Sequence, residues 1–166
     1  MEELEPTITA QVLLLTPEGY QRLHEELEHL TVIKRAEIAE RLRDSKQHGE
    51  FSEDNSELDE VKFEQAMVEN RIADLKGIFA TAQQLDPATI STERVGIGTF
   101  VTVRDDDRRI SFEVRIVTSV EANPDEDLVS NESPMGTALF GKKVGEIAEF
   151  NAPVGRIKYK VEKIRA

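Results

Sequence analysis

The stretch HGEFSEDNSELDE, residues 48–60, holds six carboxylates: Glu50, Glu53, Asp54, Glu57, Asp59 and Glu60, with no basic side chain after His48. Hard cations such as Mg²⁺ bind one or two carboxylates together with water and phosphate oxygens. A bend of converging acids is therefore a candidate part of a metal site. The plainer alternative is a solvated loop whose charge opposes aggregation. A calcium loop of the EF-hand type does not fit. Started at Glu50, it places Asn55 at the glycine position and Val61 where a bidentate Glu is required. His48 beside Gly49 reads either as a ligand or as a helix C-terminal residue favoured by the helix dipole. No full ligand set and no nucleophile–base pair accompanies the acids. Residue types alone thus describe an incomplete site that a partner must finish.

Two long amphipathic segments must position this bend. Thr16 is a good N-cap and Pro17 suits the first helical position, where its missing N–H costs nothing. Tyr20, Leu23, Leu27 and Leu30 follow as an apolar stripe. The stripe loosens near Lys34 and Arg35, which predicts a kink or a break, and resumes at Ile38 and Leu42. After the bend, Leu58, Val61, Gln65, Val68, Ile72, Leu75, Phe79 and Ala82 alternate three and four apart, a heptad seam with Gln65 as a polar insertion. Two seams joined by a short bend predict an antiparallel helical hairpin. The first arm, Tyr20 to His48, would be roughly 40 Å long at ~1.5 Å per residue.

Asp86-Pro87 ends the second arm. Beyond Val95 the period changes to that of strands. GTFVTVRD and ISFEVRIVTSV flank the polar turn DDDRR, NPDED reads as a loop, and SPMGTALFG reads as a short helix capped by Ser133. GEIAEFNAPVGRIKYKVEKI reads as two more strands around a turn. The expected architecture is an N-terminal antiparallel coiled-coil hairpin followed by an α+β domain with an antiparallel sheet. Its boundaries are an extension over 1–12, a hairpin over 13–87 with its tip at 49–57, and the second domain over 88–166.

Composition narrows the function. The net charge is -12, which repels duplex phosphate at long range, so stand-alone sequence-specific DNA binding is not expected. Trp is absent and aromatics make up 5%, too few for a base-stacking platform. No cysteine is present, which excludes disulfides and thiolate sites. The longest apolar run, VLLL, is too short for a signal core or a membrane span. A cytoplasmic monomer without membrane attachment is expected.

The segments LTPEGYQRLHEELEHL, KRAEI, HGEFSEDNSELDEVKFEQ, NRIADLKGIFATAQQLD and SPMGTALFGKKVGE, in this order, resemble the bacterial Gre transcript-cleavage factors. The resemblance runs from about Leu15 to Ile164. It implies that the second domain is FKBP-like, that the partner is bacterial RNA polymerase, and that the hairpin enters its secondary channel. It implies that the tip acids help hold a Mg²⁺ ion shared with the polymerase, which then cleaves backtracked nascent RNA near its 3′ end. The chain itself would be no enzyme, and no cofactor is expected in the free protein. Carried onto this sequence, the catalytic and metal-sharing acids are Glu50 with Glu53 or Asp54. The family's Asp after Gly is here Glu50. Counting forward from Gly49 gives Glu53 as the second acid, and counting back from NSEL gives Asp54, so the bend has one extra residue. Leu58 stands where the family often has Tyr. Some Gre homologues inhibit cleavage, and this tip leaves that alternative open, together with a coiled-coil scaffold outside the family.

The resemblance also implies a basic patch on the hairpin that guides extruded RNA. On an ideal helix Arg35, Arg43 and Lys46 share an arc of roughly 80°, with Arg41 a less certain member; an ordinary charged outer face is the alternative. Polymerase docking falls to Glu132, Ser133, Pro134 and Met135, although a helix start alone also explains Ser133-Pro134. An FKBP-like domain raises prolyl isomerase activity. Only Phe100, Phe112, Phe140, Phe150 and Tyr159 are available to line such a pocket, and some must fill the core, so this activity is not expected.

Overall fold

The computed structural model describes residues 12–49 and 56–166. By contacts, these residues divide into a helical unit, 20–82, and a second unit made of 12–19 with 83–166.

In the helical unit, α1 (Pro17–Glu28) runs into a π-helical segment, His29–Lys34, and then into α2 (Arg35–Gly49). The return arm is α3 (Ser56–Thr81). Ile38, Val61, Val68 and Ile72 form the buried seam, with Leu27, Leu30 and Leu42 packed against it. Leu23 and Leu75 are also buried. Tyr20 and His24 each make a T-shaped contact with Phe79, with ring centroids 5.2 and 5.9 Å apart. This is the expected hairpin seam.

Two details differ from the sequence reading. The loosened stripe is not a break. The helix continues through it with wider turns, and the Arg35 N–H reaches the Leu30 carbonyl five residues back. Leu30 and Ile38 are eight residues apart, too many for two turns at 3.6 residues each, and a π-helical turn absorbs the surplus. The Thr31 hydroxyl donates to the carbonyls of Leu27 and Glu28 at 2.9 and 3.2 Å, which steadies the widened ladder. The second difference concerns Gln65, which is exposed rather than seated in the seam. Glu64 takes the polar position instead, and the reason is electrostatic. It accepts from Arg41 at 2.5 Å and pairs with Lys34 at 3.1 Å, both on the opposite arm.

The second unit is built on a five-stranded sheet of order β5-β4-β3-β7-β6. The strands are β3 (Phe100–Asp105), β4 (Ile110–Val117), β5 (Leu128–Ser130), β6 (Ile147–Ala152) and β7 (Gly155–Arg165). All pairings are antiparallel except β4 with β5. Alternating residues Val101, Val103, Val114, Ile116, Ala148 and Val161 face inward and meet Leu139 of α4 (Pro134–Leu139). Helix α4 lies so close to β5 that a Cβ on Gly136 would come within 1.8 Å of the Ser130 carbonyl oxygen. Short β1 (Leu13–Leu15) pairs with β2 (Ala82–Gln84). The sequence reading assigned neither of these strands nor β5, because three residues carry too little periodicity. Among the described residues, no helix is long and apolar enough to cross a membrane.

Candidate functional site

Helix α2 ends at Gly49 and α3 begins at Ser56, so the acidic bend joins the paired ends of the two arms. Glu50, Glu53 and Asp54 lie outside the described residues. Glu57 and Asp59 sit in the first turn of α3, where the helix dipole favours negative charge. Among the described residues, no group of three or more metal-ligating side chains occurs. Carboxylate oxygens, with no sulfur or clustered imidazole, suit a hard cation such as Mg²⁺.

The candidate RNA-guiding residues fall into two groups. Arg35 donates from Nε and Nη2 to both carboxylate oxygens of Glu69 at 2.8 Å. These hydrogen bonds hold the Glu69 carboxyl below its ordinary pKa and push Arg35 higher. Arg41 is likewise bound to Glu64. Both cations brace the hairpin, and a phosphate would have to compete with their carboxylates. Arg43 and Lys46 are exposed and have no ion-pair partner among the described residues. A third brace, Arg71 to Glu26, donates at 2.7 and 3.0 Å and lowers the Glu26 carboxyl. The sequence reading assigned no role to Glu26, Glu64 or Glu69. Their flanking positions beside the seam were the available signal.

The candidate docking segment is an ordered helix entry. Ser133 Oγ accepts the Gly136 N–H at 3.0 Å and donates to the Ser130 carbonyl at 2.7 Å. Glu132 is exposed and accepts from Ser119 Oγ at 2.9 Å, and Pro134 is exposed at the first helical position. Met135 packs against the sheet core. Thus Glu132 and Pro134 face solvent, while Ser133 and Met135 hold the segment in place. Exposed Phe140 follows directly after α4.

The aromatic residues of this unit are largely spoken for. Tyr159 contacts Phe112 and Phe150 edge to face at 5.3 and 5.5 Å, and Phe112 and Tyr159 pack against the core. Phe100 lies under the guanidinium groups of Arg115 and Arg165, at 4.4 and 3.9 Å.

A buried carboxylate missed in the sequence holds the start of α1. Glu121, 3% exposed, accepts the Thr16 N–H at 2.9 Å and the Thr16 hydroxyl at 2.5 Å. Thr16 Oγ1 in turn accepts the Gly19 N–H at 3.0 Å, as an N-cap should. Arg115 adds a bond to Glu18 at 3.1 Å. In an ordinary capping box the third helical residue supplies the returning carboxylate. Here that residue is Gly19, and its missing acid was the readable sign.

Two family models match this chain. "Transcription elongation factor, N-terminal" covers residues 13–83, and "Transcription elongation factor, GreA/GreB, C-term" covers residues 90–166. The chain belongs to the GreA/GreB family of transcription elongation factors. Among its Gre relatives, the transcription elongation factor GreA of Thermoanaerobacter pseudethanolicus is 44% identical over 153 residues, covering 92% of this chain and 97% of that protein. The GreA of Acetivibrio thermocellus is 45% identical over 157 residues, covering 95% of this chain and 98% of that protein. The crystal structure of the GreA factor homolog 1 (Gfh1) protein of Thermus thermophilus is 30% identical, covers 94% of this chain and 100% of that chain, and gives a TM-score of 0.43.

Proposed function

We propose that this Gre-family protein binds RNA polymerase, inserts its hairpin into the secondary channel and stimulates cleavage of backtracked nascent RNA by the polymerase. The observation that carries this reading is the junction of α2 and α3. Two helices braced by ion pairs, α2 ending at Gly49 and α3 starting at Ser56, are joined by residues 50–55 with Glu50, Glu53 and Asp54, and Glu57, Asp59 and Glu60 follow at the start of α3, on a chain that belongs to an elongation factor family. Glu50, with Glu53 or Asp54, would share a Mg²⁺ ion with polymerase carboxylates, and that ion supplies Lewis acidity and a lowered pKa for the attacking water. The chain's own acids accept hydrogen bonds from that water and orient it. Hydrophobic seam and ion pairs keep the tip from splaying, and displacements of about 1 Å can cost ~10²-fold in rate. Arg43 and Lys46, which have no ion-pair partner among the described residues, would meet RNA phosphates. Glu132 and Pro134 present the docking surface. Charge repulsion in the bend of the free factor is relieved when the cation is shared.

A second reading follows from Glu50 and the extra bend residue. A longer acid on a longer loop occupies the channel without aligning the water, which gives an inhibitor or a factor silent in cleavage.

Division of labour between tip and docking segment tests the reading. Glu50→Ala with Asp54→Ala should leave polymerase affinity within a few-fold while removing the effect on cleavage. Glu132→Ala with Pro134→Ala should weaken affinity. Equal loss of binding in both double variants overturns the assignment.

A further inference from the structure

We propose that the outer face of the C-terminal sheet is a track for the phosphate backbone of single-stranded RNA, distinct from the hairpin patch. Residues 1–87 carry 20 acidic and 9 basic side chains, whereas residues 88–166 carry 13 and 12, so the net negative charge lies almost wholly in the first part. Within the second part, residues 155–165 hold five basic side chains and one acidic.

The fold sets these cations on one side. Ile157, Tyr159 and Val161 of β7 point inward, which leaves Arg156, Lys158 and Lys160 on the outer face. Strict alternation would then turn Lys163 and Arg165 toward the core. A bulge intervenes, because Val103 pairs with Val161 but Thr102 pairs with Lys163, leaving Glu162 as the extra residue. A bulge re-aims the side chains beyond it. Ile164 therefore enters the core, while Lys163 and Arg165 are exposed with the preceding cations. Across the ladder Arg104 lies opposite Lys160.

Most acids on this face are engaged, and Asp107 beside Lys158 and Lys160 is the exception among the described residues. Glu149 binds Arg156 and Lys158, Glu113 takes both bonds of Arg165, Glu162 accepts from Ser111, and Asp106 accepts from Arg104. Lys160 and Lys163 are exposed with no ion-pair partner among the described residues. Alternate residues of a strand stand about 6.6–6.8 Å apart. Lys160 and Lys163, on either side of the bulge, meet a phosphate without a paired carboxylate to displace, whereas at Arg156, Lys158 and Arg165 it competes with Glu149 and Glu113. A flexible single strand can follow this interrupted row, and a rigid duplex meets fewer of its members. With Phe100 covered by two guanidinium groups, no aromatic face is offered for stacking. Recognition is thus of the backbone and indifferent to base sequence.

The test uses the full-length protein without polymerase, so failure leaves the polymerase reading untouched. Fluorescein-labelled oligouridylate is titrated by anisotropy at several salt concentrations. Binding should weaken with salt at a log–log slope near -2, about 0.7 for each of about three neutralised phosphates. Lys160→Glu with Lys163→Glu should weaken binding at least about tenfold. Lys62→Glu with Lys76→Glu on α3 changes the net charge equally and should weaken it clearly less. Equal losses in the two double variants would show an effect of net charge alone and overturn the track. So would absence of RNA binding at the lowest salt, or preference of this face for a polyglutamate peptide over the RNA.

Discussion

Glu121 closes the capping box of Thr16 from 105 residues away along the chain, accepting both its backbone N–H and its hydroxyl. A Cβ on Gly19 would fall 1.7 Å from Glu121 Oε1, so the glycine at the third helical position makes room for the distant acid. The two residues form one device. Glu121→Ala should destabilise the protein by about 1–3 kcal/mol, because it leaves a buried N–H and hydroxyl without partners. Gly19→Ala should also destabilise it by displacing the carboxylate, and its cost should shrink in the Glu121→Ala background. Chemical denaturation of the two single variants and the double variant measures this coupling. Strict additivity would show that the two positions act separately.

The hairpin seam should dominate the stability of the helical unit. Ile72 and Leu75 are 2% and 0% exposed, and truncating either to Ala should cost about 2–5 kcal/mol. Exposed Gln65→Ala should change stability by less than about 0.5 kcal/mol. Helical signal followed by circular dichroism through thermal unfolding distinguishes these outcomes. A Gln65 variant as damaging as the Ile72 variant would restore the polar-insertion reading of the seam.

Acid should loosen the braces between the arms. Hydrogen bonds from Arg71 and Arg35 hold the carboxyls of Glu26 and Glu69 below their ordinary value of 4.5. A carboxyl depressed in the folded state contributes stability that is fully present above its unfolded value and is lost as the pH falls through its folded value. Melting temperature should therefore hold from neutrality to about pH 5 and drop below about 4.5. Glu26→Gln with Glu69→Gln should lower stability at neutral pH and flatten that drop. An identical acid limb in wild type and variant would contradict the contribution of these pairs.

Free protein should bind Mg²⁺ only weakly, since the bend offers carboxylates without a closed cage. Calorimetry with Mg²⁺ and with Ca²⁺ checks this. A tight stoichiometric site for either ion would contradict a metal shared with a partner and revive a calcium module.

Much of the fold was legible because long elements repeat their signal. The stripe of Leu23 and Leu27, the seam of Val61, Val68, Ile72 and Leu75, and the alternation of Val101 with Val103 each state a period several times. Ser133 at the entry of α4 was legible for another reason, since a cap followed by Pro134 is a local code. Three-residue strands such as Leu128–Ser130 carry no such repetition, and their pairing is decided by tertiary contact. The π-helical segment was visible only as a fault in the stripe near Lys34, whose cause depends on which carbonyl the Arg35 N–H finds. Arg35 shows the same limit at the candidate site. Its charge and arc were readable, whereas the bidentate grip of Glu69 needs the facing helix in place. Glu121 lay hidden because its partner is remote in sequence, although Gly19 marked the absence.

Arg43 and Lys46 should matter more for RNA than Arg35 does. Reversing both to Glu should slow cleavage of deeply backtracked complexes while leaving hairpin stability within about 0.5 kcal/mol. Arg35→Glu should instead reduce stability by setting two carboxylates face to face. Parallel melting and cleavage measurements separate these effects, and a loss of stability in the Arg43 and Lys46 variant equal to that of Arg35→Glu would contradict the division.

The most direct measurement is RNA cleavage in a stalled, backtracked elongation complex across Mg²⁺ concentrations, with wild type, Glu50→Ala, Glu53→Gln and Asp54→Asn. The account predicts that wild type accelerates cleavage and that Glu50→Ala abolishes the acceleration. Of the two amide variants, the one that replaces the second metal-sharing acid should lose activity and recover partly at high Mg²⁺, with Glu53 favoured because Gly49 to Glu53 preserves the family spacing. Wild type that slows intrinsic cleavage, with the slowing relieved by the tip variants, would contradict stimulation and establish the inhibitory reading in its place.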